Sequence, residues 1–456
     1  MRNDVLQLAG LHDLLVLHAV DPRRYPFLLE SSGGAPGLAR FDILCAFPGR
    51  EISLGADGIL RDPLAGGAPG TDFLDALNQA CRHGAVAEAE AEADALPFRG
   101  GWFVFLAYEF AHCIESSLSL PVDPRLPLAR ATRIPAAVIR CRETGSTVAV
   151  AEPGCGALLE AIRADAARAV ALPGAAPGRV TIDGLREEDP DRFLAAVMEA
   201  RHHITAGDIY QANISRRWCA EVGPDIRPWM LYDRLRRANP APFGGLALLD
   251  ASTAVISSSP ERLLRVQAGR VETRPIAGTR PRREGSGGEV EVRASLLGNP
   301  KERAEHIMLI DLERNDLGRV CRPGSVQVED FMSVETYAHV HHIVSGVVGE
   351  LADDIGPGDV LRAVFPGGTI TGCPKVRCMQ LIGGLEGRPR GAYTGAMGYL
   401  NHDGSCDFNI LIRSMTLCGR SLSFSAGSGI VAESDPGQEL AETRAKARGM
   451  ILALGE

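Results

Sequence analysis

Three Asx-Pro pairs constrain the folding of this chain more than any other feature. Asp189-Pro190, Asn299-Pro300 and Asp435-Pro436 each offer a side-chain oxygen as a helix N-cap, followed by a φ-locked proline at the first helical position. Behind the first pair, Phe193, Val197 and Ile204 recur at helical spacing, which predicts one inward face closed by Gly207. The second pair predicts a helix through about Leu317, and the third a helix running nearly to the C-terminus. Between them, residues 210–218, 393–400, 408–418 and 421–425 read as strands, as does the aromatic run WFVFLAYEF at 102–110. Runs of strands with helices to one side, and no strict alternation, predict an α/β (α+β) assembly other than a doubly wound sheet.

With 456 residues, the chain can bury a sizeable core in two domains or in one large domain of two halves. A connector is expected at LPGAAPGRV (172–180), so the chain is divided into an N-terminal region, 1–175, and a C-terminal region, 176–456. The stretch AEAEAEADA (87–95) reads as an exposed helix or loop. A net charge of -9, from 48 basic and 57 acidic residues, argues against a nucleic-acid partner. No run is apolar enough for a membrane span, and the N-terminus lacks signal-peptide features. The 11 scattered cysteines fit reduced thiols in a cytoplasm.

Two pairs of glutamates carry the first chemical signal: Glu302 with Glu305, and Glu439 with Glu442. Spacing of three puts each pair on one helical face. Two such faces meeting in a cleft would need protons or a hard cation such as Mg²⁺ to offset their repulsion, whereas apart they are ordinary surface charge. In FPGGTITGCPKVR (365–377), a glycine-rich turn leads into a helix, so its N–H groups either meet a substrate carboxylate or simply close a tight turn. Arg413, inside the apolar run FNILIRSM, needs a partner, which an anionic ligand or a structural carboxylate would supply. Cys155 sits on an elbow-like turn without a His and Glu set to activate it, which excludes a built-in glutaminase.

Seven segments together, GDIYQANIS (207–215), SSPERLL (258–264), ETRPIAGTRPR (272–282), KERAEHIMLIDLERNDLGR (301–319), FPGGTITGCPK (365–375), YTGAMGYL (393–400) and AGSGIVAESDP (426–436), resemble the chorismate-utilising family. That family includes anthranilate, aminodeoxychorismate, isochorismate and salicylate synthases. The resemblance implies sheets packed as a sandwich with helices outside and an active site in a cleft. It implies a Mg²⁺ site with Glu305 and Glu442 as direct ligands and Glu302 and Glu439 holding coordinated water. By the same resemblance Arg413, Tyr393 and the Gly427 backbone hold the enolpyruvyl carboxylate, while Thr369 and Lys446 line the pocket. His342 lies beside the ring, and Glu261 is the acid that protonates the departing C4 hydroxyl.

Gln211 stands where water-adding members carry a lysine base, so ammonia is the expected nucleophile. FPGGTITG and Asn213 resemble aminodeoxychorismate synthases. PIAGT resembles anthranilate synthases, because Ala277, next to Gly278 and Thr279, replaces the lysine that many aminodeoxychorismate synthases use as a C2 nucleophile. The expected reaction makes 4-amino-4-deoxychorismate for p-aminobenzoate and folate synthesis, with a glutamine amidotransferase subunit as ammonia source in a heterodimer. Anthranilate formation and a catalytically inactive binding protein are the alternatives. YPFLLESS and NPAPF resemble a tryptophan-binding signature, so Glu30, Ser31, Pro242 and Phe243 line a tryptophan pocket or are packing elements of the N-terminal sheet.

Overall fold

The computed structural model describes the chain except residues 1–2, 35–37, 63–71, 85–95, 172–179, 282–297, 299, 337–339 and 456. The segment 87–95 and nearly all of the 172–180 connector lie outside the described residues. So do the side chains of Ala277, Thr279 and Glu302.

The three Asx-Pro helices form as the sequence dictates. They span Pro190–Thr205, Pro300–Gly318 and Pro436–Leu454. Asp189 and Asp435 cap the first and third by accepting from the backbone N–H groups of Asp191 and Gln438. Phe193 and Val197 are buried, and Gly207 turns the chain at φ +83°.

The described strands form two antiparallel sheets, one of twelve strands and one of eleven. Both sheets take strands from either side of residue 175: Phe27–Glu30 pairs with Phe243–Leu248 in the first, and Gly101–Leu106 pairs with Ala396–Asn401 in the second. The sheets face each other across a core that includes Phe27, Ile43, Phe103, Phe105, Val255 and Met397. Phe27 and Phe103 stack there at 3.9 Å between ring centroids. The C-terminal helix packs with Leu15–Val20, Ala157–Ala171 and Pro228–Ala238 on the outer face of the larger sheet. The second Asx-Pro helix and Phe73–Gly84 cover the other sheet. Among the described residues no helix is long and apolar enough to cross a membrane.

Two expected strands are corrected. The aromatic run 102–110 ends as a strand at Leu106, and Tyr108–Phe110 form a short 3-10 helix. Residues 408–418 form two strands, Cys406–Ile410 in the smaller sheet and Ser414–Cys418 in the larger. They are divided by Leu411–Arg413, where Arg413 takes a left-handed φ of +51°. A second crossing runs alongside it: Thr253–Ser259 belongs to the larger sheet, Arg262–Gln267 to the smaller, and Pro260-Glu261 joins them. Hydrogen bonds from Ile410 N to Glu261 O, 3.0 Å, and from Ser258 N to Arg413 O, 3.1 Å, tie the two crossings together. An apolar strand period continues through such a crossing, so the sequence pattern conceals it.

Candidate active site

Where the two crossings meet, the sheets leave a cavity of about 100 Å³ lined by Glu261, Arg413, Tyr393, Thr369, His342 and Asn213, with Gly427 and Lys446 also in its wall. Tyr393 is placed by the turn before Ala396–Asn401, where Thr394 N donates to Leu411 O at 2.8 Å. Lys446 arrives from the C-terminal helix and donates to Gly427 O at 3.0 Å. At Gly427 a Cβ would lie 2.4 Å from Asn213 Oδ1 and 2.8 Å from the Tyr393 hydroxyl, so only glycine leaves this wall open.

Glu261 is buried, and its Oε1 has no hydrogen-bond partner among the described residues. Burial pushes its carboxyl up to about 7, against weaker pulls from Thr369, the Ile276 backbone, Arg413 and Lys446. Burial thus favours the protonated form of this acid. Arg413 makes no side-chain hydrogen bond or ion pair among the described residues. Burial pulls its guanidinium below the usual arginine range, while Tyr393, Glu261 and Glu442 act at a distance to restore it. A cation held this way can take an anion as its partner. Burial also raises the Tyr393 hydroxyl to about 12, so it stays a neutral donor. His342 is buried, with Nδ1 3.3 Å from Gly278 O, and its backbone pairs with that of Thr279.

Of the expected metal-site glutamates, Glu305, Glu439 and Glu442 lie near the end of the strand Ser421–Ile430. Glu439 is buried and accepts from the Ser428 hydroxyl. Glu305 Oε1 accepts from Gln211 Nε2 at 2.7 Å and lies 3.3 Å from where a Gly429 Cβ would stand. Glu442 pairs with Lys446 at 2.6 Å; burial works against its charge, but Lys446, Ser428 and Arg413 outweigh it and hold the carboxyl low. Among the described residues no three His, Cys, Asp or Glu side chains already form an ion-binding group. Glu305, Glu439 and Glu442 are each occupied by a protein donor near residues 428–429, and the Glu302 side chain lies outside the described residues. These hard oxygens suit Mg²⁺ once the Gln211, Ser428 and Lys446 contacts are exchanged for the ion.

Gln211 is not in the cavity wall. It lies with Glu305 in an adjoining groove of about 1080 Å³. The tryptophan-signature segments are brought together: Ser31 Oγ donates to Pro242 O at 2.7 Å, and Glu30 and Gly244 are paired residues of adjacent strands. The Glu30 carboxylate is filled by Arg142, Arg236 and Tyr232. Cys155 is partly buried on the turn before Ala157–Ala171. Sequence reasoning missed the buried acids Glu313 and Asp316, although they repeat the three-residue spacing of the glutamate pairs on the same helix. It also gave no place in the site to Asn213, whose amide donates to Thr369 O at 3.4 Å.

A family model described as chorismate binding enzyme matches residues 61–452. The chain is 38% identical to an anthranilate synthase component I-like protein of Synechocystis sp., over 79% of this chain and 73% of that protein. It is 44% identical to aminodeoxychorismate synthase component 1 of Bacillus subtilis, over 58% of this chain and 56% of that one. Among solved structures, anthranilate synthase component I from Streptococcus pneumoniae superposes with a TM-score of 0.78 at 31% identity, covering 91% of this chain and 92% of that one.

Proposed function

This chain belongs to the chorismate binding enzyme family, and on that premise we propose that it is the large subunit of an aminodeoxychorismate synthase, aminating chorismate with ammonia. The observation that carries the reading is the meeting, in one small cavity, of a guanidinium without a side-chain partner among the described residues, Arg413, and a buried acid, Glu261, whose carboxyl burial pushes up. Chorismate needs both: an anion receptor for the enolpyruvyl carboxylate and a proton for a hydroxyl that leaves poorly as hydroxide.

Arg413 and the Tyr393 hydroxyl bind the carboxylate, with the Gly427 backbone beside them. Ammonia adds at C2 as both ring double bonds shift and the C4–O bond breaks; the Glu261 proton leaves with that oxygen as water, and the ammonium formed at C2 gives up a proton that restores the Glu261 acid. The product of this step is 2-amino-2-deoxyisochorismate. A second ammonia then adds at C4 as the two double bonds shift back and the C2 amine, protonated by the Glu261 acid, departs as ammonia; loss of a proton from the new C4 ammonium back to Glu261 gives 4-amino-4-deoxychorismate. Ala277 offers no covalent alternative, since a methyl group is not a nucleophile. His342 packs beside the ring and limits its position. Glu305 and Glu442 would hold Mg²⁺ directly, with Glu302 and Glu439 holding its water, and the ion would anchor the ring carboxylate. Ammonia would come from a separate glutamine amidotransferase subunit, because Cys155 lacks an activating partner set.

The choice of product rests on FPGGTITG and Asn213, whose Thr369 and Asn213 side chains both line the cavity. A second reading, anthranilate synthase component I, is favoured by the fuller coverage of the S. pneumoniae structure. It shares the first amination and then eliminates pyruvate. Chromatography of products from chorismate, ammonium and Mg²⁺, with and without aminodeoxychorismate lyase, separates the two. p-Aminobenzoate formed only with the lyase is expected; anthranilate formed without it establishes the second reading, and unconsumed chorismate sinks both.

A further inference from the structure

The turn that carries Thr369 is held by two buried acids on the helix that carries Glu305. Glu313 is buried, and its Oε1 accepts from Gly368 N at 3.3 Å. One turn on, Asp316, also buried, pairs with Lys375 Nζ, which in addition donates to Val364 O at 3.0 Å. The two acids therefore grip the 364–375 segment at its middle and at both ends. The fit is close: a Cβ on Gly368 would stand 2.6 Å from Leu312 Cδ2 and 3.2 Å from Glu313 Oε1. Further along, Arg390 Nη1 donates to Ile370 O at 3.0 Å and Asn213 N to Thr371 O at 2.9 Å, which ties the segment to the cavity wall. Burying two acids three residues apart is costly, and here burial holds both carboxyls above the usual range, repulsion from Asp316 adds to it at Glu313, and Lys375 pulls both back. A plain helix-to-turn contact could be made by apolar side chains without that cost.

We propose that Glu313 and Asp316 are positioning residues, which lock the Thr369 turn to the Glu305 helix so that Thr369 keeps its place in the cavity wall that also holds Glu261. The proposal rests on the chorismate reading for its consequence in turnover, but its geometric core does not. Thr369 is one of the groups that draw Glu261 toward its charged form, along with Arg413 and Lys446; His342 and Tyr393 also face the cavity. Releasing the turn removes the Thr369 contribution and leaves the others in place.

The test uses the full chain with Glu313→Gln, Glu313→Ala and Asp316→Asn. Infrared titration follows the protonated carboxyl band of Glu261, assigned by its loss in Glu261→Gln, and needs no turnover. The expected midpoint is near 7 in the wild type and in Glu313→Gln, which keeps an acceptor for Gly368 N. In Glu313→Ala it moves to higher pH, and kcat falls at least about tenfold with KM for chorismate changed less than about twofold, as lost orientation predicts. Asp316→Asn, which leaves the Gly368 contact intact, gives a smaller shift in the same direction and serves alone if Glu313→Ala does not fold. A wild-type midpoint in every folded variant overturns the proposal. If the wild type leaves chorismate unconsumed, the functional reading fails while the infrared result still decides the coupling.

Discussion

Replacing Arg413 with methionine should weaken chorismate binding while leaving the free protein as stable as before or more so. The two effects have opposite signs because of where the guanidinium sits. It lines the cavity with no hydrogen-bond or ion-pair partner among the described residues, and burial already pulls it below the usual arginine range. Removing such a charge relieves desolvation, and methionine keeps most of the alkyl packing, so stability holds or rises by up to about 1 kcal/mol. The left-handed φ of +51° costs either side chain alike. In the complex, by contrast, the substrate carboxylate loses its cationic partner inside the cavity. Truncating one member of a buried charge pair costs about 2–5 kcal/mol. Taking about 3 kcal/mol, binding weakens on the order of 100-fold. Arg413→Lys should fall between, since it keeps the charge and loses the two-pronged geometry. Urea unfolding with and without chorismate, beside a KM measurement, reads both signs at once. A destabilised free protein with unchanged KM would show the guanidinium to be structural and refute this account.

With free ammonia held constant, kcat should hold below about pH 7 and decline above it, because only protonated Glu261 can deliver the proton and its carboxyl is pushed up to about 7. The same shift has a stability consequence. The folded value lies above the ordinary 4.5, so folding takes up a proton and this contribution is complete below about 4.5 and lost as pH rises through about 7. Glu261→Gln should flatten that part of a pH series of unfolding midpoints, and an unchanged slope would count against the burial of this acid. Glu305→Gln or Glu442→Gln should abolish turnover, as should EDTA; full activity in EDTA would remove Mg²⁺ from the reaction. The purified chain should use ammonium salts and not glutamine until an amidotransferase subunit is added. Glutamine use by this chain alone would point to Cys155, with Cys155→Ala as the deciding variant.

The sequence made some of this legible for plain physical reasons. The Asx-Pro helices were readable because capping and proline geometry are local, and Asp189 and Asp435 cap where expected. Glutamates three apart announce a shared face, and Glu305, Glu439 and Glu442 do lie along one strand end. The partners of those glutamates were not readable, because Gln211 and Ser428 come from distant strands whose pairing no local pattern records. The filled state of Glu30 was hidden in the same way: its three partners, Arg142, Tyr232 and Arg236, come from 112 to 206 residues further along the chain.

The mistaken strand at 408–418 is the more instructive case, because the site exists on account of the feature that was missed. Arg413 looked like a charge stranded in a buried strand. In the fold it marks the place where the chain leaves the smaller sheet for the larger, beside the opposite crossing at Pro260-Glu261. Within a sheet, alternate side chains are committed to one packed face or the other. At a crossing neither sheet claims them, so a guanidinium and a carboxyl can turn into the gap between the layers without displacing core. The left-handed backbone at Arg413 follows from that change of sheet, and a strand running straight through would carry its side chain into a packed layer instead. Two antiparallel crossings set side by side thus supply an anion receptor from one and a proton donor from the other, which is the minimum a carboxylate with a poor leaving group requires.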